Sequence, residues 1–166
     1  MVMFRLVGKG IVAAILIASG SAIAEDIFLQ SQSPASRRYA ILEDDGQTAY
    51  LYLTKPNELT PVRDAVAYTR VPPVAKVDWE SIRKTGDTPR LPVDLASPSA
   101  VIQSPKPSEF QFKWSGDGHS VAILHNGSPL AMAGNQDRFG YSKAVKKASP
   151  LANAWDEKRY LQLFGR

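Results

Sequence analysis

Apolar and polar positions alternate along several short stretches of the chain, and the alternation predicts strands. In residues 48–54, Ala49, Leu51 and Leu53 alternate with Tyr50, Tyr52 and Thr54. A period of two puts successive side chains on opposite faces, and Tyr and Thr favour a pleated surface. Residues 39–42 form the partner arm across residues 43–47, where Asp45 and Gly46 suit a tight hairpin turn. Residues 26–30 and 65–71 read as two further strands, the second stopped by Pro72 and Pro73. Residues 31–38, polar and carrying Pro34, read as a loop.

A second alternating stretch follows later. Phe110, Phe112 and Trp114 fall on one face of a strand, with Gln111 and Lys113 on the other. Residues 115–118 turn the chain, residues 120–125 return, and Asn126-Gly127 turns it again into residues 128–133. This is a three-stranded meander. Pro129 has no N–H to donate, so it predicts either an edge strand or a position at a strand start. From Ser149 the period changes: Ser149 suits a helix N-cap and Pro150 the first helical position. Leu151, Ala154, Trp155 and Leu161 lie near one face, which predicts a helix of about 12–14 residues ended by Gly165. Trp114 and Trp155 fit inward faces. With no repeat of 20–50 residues, the expectation is an α+β fold: an antiparallel β-meander sheet with a C-terminal helix packed on it.

Between these stretches, residues 72–108 hold seven of the twelve prolines. Residues 74–84 suggest a strand around Trp79 and Ile82. Residues 85–108 read as a Pro-rich loop, a connection long enough to be either a solvated segment or a binding loop.

The first 24 residues change the arithmetic. Arg5 and Lys9 precede the apolar run 10–18, and Ala22-Ile23-Ala24 supplies a small-x-small cleavage site. That is the pattern of a secretory signal peptide. The apolar core is about half the roughly 20 residues that a membrane anchor needs. Cleavage after Ala24 leaves a single β-rich domain over residues 25–166, expected in the periplasm or secreted, with no membrane span. The net charge falls from +4 for the whole chain to +2, because two basic residues and no acids leave. A nucleic-acid partner therefore loses support. The chain has no Cys and two His. This excludes disulfides, thiolate metal sites, a Cys nucleophile, a lipid-anchored Cys and a multi-His zinc site. No cofactor motif is present, and no metal site is expected.

Two motifs carry a resemblance. Residues 43–48 precede a Tyr-rich strand. Trp114-Ser-Gly-Asp-Gly118 precedes Ile123-Leu-His-Asn-Gly-Ser-Pro-Leu-Ala131. Together they resemble a family of small bacterial proteins with an Asp-Asp-Gly hairpin and a Trp-Ser-x-Asp-Gly / Asn-Gly-x-Pro hairpin. The likeness spans about residues 39–155, with a gap across the Pro-rich stretch. The family has no settled function, so the resemblance implies a fold and transfers no active site.

No coherent catalytic set emerges. Asp117, His119 and Ser120 lie within four positions, but His119 and Ser120 point to opposite faces of a strand, whereas a triad needs a spatial chain. His119 and His125 would stand about 20 Å apart along one strand. Glu43, Asp44 and Asp45 are consecutive, without the spaced ligands of a calcium loop. The bland reading is an acidic hairpin tip, and the functional one is an acidic knob aimed at a basic partner. Arg138 to Lys147 mixes four basic residues with two aromatics, which suits either a solvated face or a grip on lipid headgroups or an acidic partner.

The sequence thus points to an exported, non-catalytic protein-binding domain. A concrete version is an immunity protein or inhibitor that neutralises a toxin delivered to the periplasm. Its expected partner-binding residues are Glu43, Asp44, Asp45, Trp79, Asp117 and His119. The alternative is an envelope module that binds glycan or lipid through Tyr50, Tyr52, Trp79 and the basic run 138–147. A small envelope hydrolase using Asp117, His119 and the acidic hairpin stands third.

Overall fold

The computed structural model describes residues 24–165. The expected signal peptide lies outside them, apart from Ala24. Four strands, β1 (Ile27–Gln32), β2 (Tyr39–Asp44), β3 (Thr48–Thr54) and β4 (Pro61–Thr69), pair antiparallel in chain order. Five more form a second sheet in the order β5 (Phe110–Trp114), β6 (Ser120–His125), β7 (Ser128–Gly134), β8 (Tyr141–Ser142) and β9 (Asn153–Ala154). All its pairs are antiparallel except β8 with β9, which is parallel. The expected meanders are therefore present, but in two sheets rather than one.

The sheets bury one face each against the other. Leu51, Leu53, Ala65 and Tyr68 share a solvent-free cluster with Val121, Ile123, Ala131 and Ala133. Phe110 stacks on Tyr68 with ring centroids 5.5 Å apart. Alternation dictates this: the apolar residues of each strand fall on the face that meets the other sheet. Asn126 (φ 49°) and Gly127 (φ 80°) both adopt left-handed angles, which a two-residue turn requires to match the strand twist. Pro129 is the second residue of β7, an interior strand. It sits at a strand start beside a register shift, opposite Leu124, where no ladder donor is needed.

The C-terminal helix differs from expectation. It is α2 (Glu157–Phe164), eight residues long, and the Asp156 carboxylate caps it by accepting from the Arg159 N–H. Ser149 and Pro150 make a turn instead, in which Ser149 Oγ accepts from the Leu151 and Ala152 amides. Ser before Pro serves either structure locally. The choice is tertiary, because the Val66 amide of β4 donates to Leu151 O at 3.0 Å and residues 153–154 pair with β8. Helix α2 packs on the second sheet, the one that holds the β5–β7 meander. Its Tyr160 packs with Ala122, Leu124 and Met132 of the second sheet. Trp155 is half-buried beside Tyr160, and Trp114 is half-buried with its indole donating to Ser31 Oγ.

The strand expected around Trp79 and Ile82 is helix α1 (Trp79–Thr85). Asp78 accepts from the Ser81 amide, Glu80 sits in the first turn and Arg83 and Lys84 in the last. That is the charge order a helix dipole favours. The Pro-rich stretch is irregular but anchored. Leu91 and Ala100 are buried, and its backbone bonds to Val74, Thr69, Ala144 and Lys146. Prolines lack an N–H, so such a strap can cover a sheet without leaving donors unpaired. No helix among the described residues is long and apolar enough to cross a membrane.

Candidate functional site

Tyr50 and Tyr52 alternate with Leu51 and Leu53 and so stand on the outer face of the first sheet. On β4 the residue opposite Tyr52 is Asp64, and the one opposite Tyr50 is Val66. The Pro-rich strap crosses this face: Tyr50 Oη donates to Pro89 O at 2.9 Å, and α1 presents Trp79, which is 37% exposed. From the other side the connection between β7 and β8 supplies Gln136, Arg138 and Phe139. Together they enclose a cleft of about 780 Å³ with Tyr52 and Asp64 in its lining. That volume lies inside the range of roughly 300–1,000 Å³ common for ligand pockets.

Close backbone approach builds the cleft. The Gly140 amide donates to Asp64 O at 3.1 Å. A Cβ on Gly140 would come within 2.7 Å of both Ala65 Cβ and Asp64 O. Glycine here lets the β7–β8 connection lie against β4 and carry Phe139 and Arg138 to the mouth.

The charges in the cleft are unequally committed. The Arg63 guanidinium donates to the carbonyls of Asp137 and Val62. The Arg138 guanidinium stacks over Phe139, 5.2 Å from the ring centroid. The Asp64 side chain has no hydrogen-bond partner in any other described residue. Burial pushes its carboxyl up to about 6, partly offset by its own backbone N–H and by Arg63. Tyr52 is 7% exposed, yet its hydroxyl likewise has no hydrogen-bond partner among the described residues. Burial, then the acids Glu43, Asp64 and Asp45, pushes the phenol well above its ordinary value. Tyr52 therefore stays protonated and offers both a donor and an acceptor.

The expected partner-binding residues do not form one surface. Asp44 is fully buried; its carboxylate accepts from Arg70 Nε at 2.7 Å and from Tyr68 Oη. It is a structural anchor and presents nothing to a partner. Asp45 holds the hairpin by accepting from the Gln47 and Thr48 amides. Glu43 is half-buried, and burial, then Asp45 and Asp26, pushes its carboxyl up. Asp117 and His119 lie at the opposite end of β2, about 20 Å away by strand rise. This follows because His119 Nδ1 accepts from Arg38 Nε at 3.0 Å, and Arg38 immediately precedes β2.

Nor do Asp117, His119 and Ser120 form a triad. Asp117 accepts from Ser115 Oγ and from the His119 amide, which hold its carboxyl below the usual range. His125 instead meets Glu109 at 3.1 Å. Of the basic run, Lys143 lies over the Trp155 ring and Lys147 pairs with Asp94.

What the fold does unite is Tyr50, Tyr52, Trp79 and Arg138, drawn from three separate segments. Asp64 and Gln136 join them without having been singled out in the sequence. For Asp64 a signal existed: a carboxylate between Val62 and Val66 on one face of a strand is out of place unless that face meets a polar cavity. No family model, curated protein or solved structure matches the chain.

Proposed function

We propose that this protein is a non-catalytic binding module of the bacterial envelope, and that the cleft between strand β4, helix α1 and the β7–β8 connection is its ligand site. One observation carries the reading: aromatic walls and uncommitted polar groups converge in a single concave site of ligand size. The features that suggested a small-ligand module lie together, while those that suggested an acidic docking knob are scattered or buried. The export pattern of residues 1–24 supports placement in the envelope. A non-catalytic role is favoured because neither histidine lines the cleft, and the one acceptor nitrogen of His119 is occupied by Arg38.

A fragment screen by two-dimensional NMR tests the site. Sugars, amines, carboxylates and acyl chains should give hits whose shifts map to Trp79, Tyr52 and Gln136, and Trp79→Ala should remove them while leaving the fold intact. Hits confined to other surfaces, or none, would sink the reading.

A further inference from the structure

We infer that the cleft takes a saccharide, with a sugar ring lying on Trp79 and neighbouring hydroxyls read by the Tyr52 and Asp64 pair. This rests on the cleft being the ligand site.

Tyr52 and Asp64 are direct cross-strand partners, so their side chains leave the same face of the sheet about 5 Å apart at the backbone. One offers a hydroxyl, the other a carboxylate, and neither is hydrogen-bonded to another described residue. Tyr52 is nine-tenths buried, yet the sealed unpaired side-chain atoms among the described residues are Thr48 Oγ1 and Arg159 Nε, so its hydroxyl opens onto the cleft, where a ligand can pair with it. Gln136 and Arg138, both exposed, add an amide and a guanidinium at the mouth.

Each rival class of occupant meets an opposing group. An acyl chain would strip water from the Asp64 carboxylate and return no hydrogen bond. An anion would face Asp64 in the lining, whereas a lone ammonium would share the cleft with Arg63 and Arg138. A polyhydroxylated, uncharged ligand meets no such conflict. Every hydroxyl both donates and accepts, so it donates to Asp64, exchanges with Tyr52 and accepts from Arg138 and Gln136. The apolar face of its ring is served by Trp79, and Phe139 adds a second aromatic to the cleft lining. The volume of about 780 Å³ admits more than one ring.

The test uses the protein on an array of peptidoglycan, lipopolysaccharide-core and capsular glycan fragments. The best ligand is then followed by NMR and tryptophan fluorescence. A lysine-containing peptide and anionic lipid vesicles serve as comparison probes. The expected result is a glycan that shifts the Trp79 indole and the Tyr52 ring, and whose affinity falls at least tenfold in Asp64→Asn and in Tyr52→Phe. Both substitutions keep size and leave the fold intact by circular dichroism. Binding of the peptide or vesicles in the cleft, with no glycan bound, would overturn the saccharide assignment and leave the site standing. Glycan binding indifferent to both substitutions would overturn the roles given to Tyr52 and Asp64. Silence from every probe would remove the site as well.

Discussion

Arg38 donates through Nε to Nδ1 of His119 across 3.0 Å, and that bond ties the start of β2 to the turn between β5 and β6. The same guanidinium donates to Thr54 O at 2.7 Å and to Asn135 Oδ1 at 3.0 Å. Three segments from two sheets thus meet on one cation that is 8% exposed. A buried arginine is tolerable only because its donors are shared out in this way.

Replacing Arg38 with Ala leaves a buried carbonyl and the His119 ring without their partner. We expect a loss of about 1–3 kcal/mol, read as a lower urea midpoint. His119→Ala, which removes one of the three acceptors, should cost less, about 1 kcal/mol. An unchanged midpoint in Arg38→Ala would mean that the two sheets do not depend on this junction.

Asp44 and Arg70 make a buried ion pair. Removing the carboxylate with Asp44→Ala strands a guanidinium whose side chain is only 8% exposed. That loss should reach about 3–5 kcal/mol. Tyr68→Phe keeps the ion pair and should cost about 1.5–3 kcal/mol at most. Thermal melts that rank Tyr68→Phe as the more damaging of the two would contradict this order.

The Asp64 carboxyl, raised to about 6 by burial, sets a pH dependence. Its folded value lies above its unfolded value near 3.8, so the folded state holds the proton more tightly. Below the unfolded value both states are protonated and the group costs nothing. As pH rises toward 6 the folded state loses stability, and above 6 the full cost is present. Asp64→Asn should therefore stabilise the protein above pH 6, by on the order of 1 kcal/mol given the water in the cleft. It should be neutral near pH 3. Melting curves of both proteins across that range would reveal the divergence, and parallel curves would rule it out.

Gly140 is the point at which the β7–β8 connection touches β4. Gly140→Ala puts a methyl group 2.7 Å from Asp64 O and 2.8 Å from Met132 O, both backbone atoms that cannot rotate away. A cost of about 1–3 kcal/mol follows from overpacking. Because Phe139 and Asp64 flank the contact, ligand binding in the cleft should weaken along with stability. Full retention of both would place the close approach elsewhere.

The strands were legible from the sequence because they rest on local physics. Alternation over residues 48–54 and 110–114, and Asn126-Gly127 between apolar runs, each dictate a strand or turn without reference to distant residues. Helix α1 was equally local in its causes, since Asp78 caps it and Gly86 ends it, but the prolines nearby obscured the pattern. Tertiary structure alone decided the rest. Ser149 and Pro150 open a turn rather than a helix because β4 offers Leu151 O a donor. Asp44 is drawn inside because Arg70 and Tyr68, two positions apart on the chain, wait there. The cleft brings together residues 50–64, 79–89 and 136–151, whose only common property in sequence is chemical type. Periodicity records which face a side chain takes; which faces meet depends on how two sheets settle against each other across long loops, where local preference carries no information.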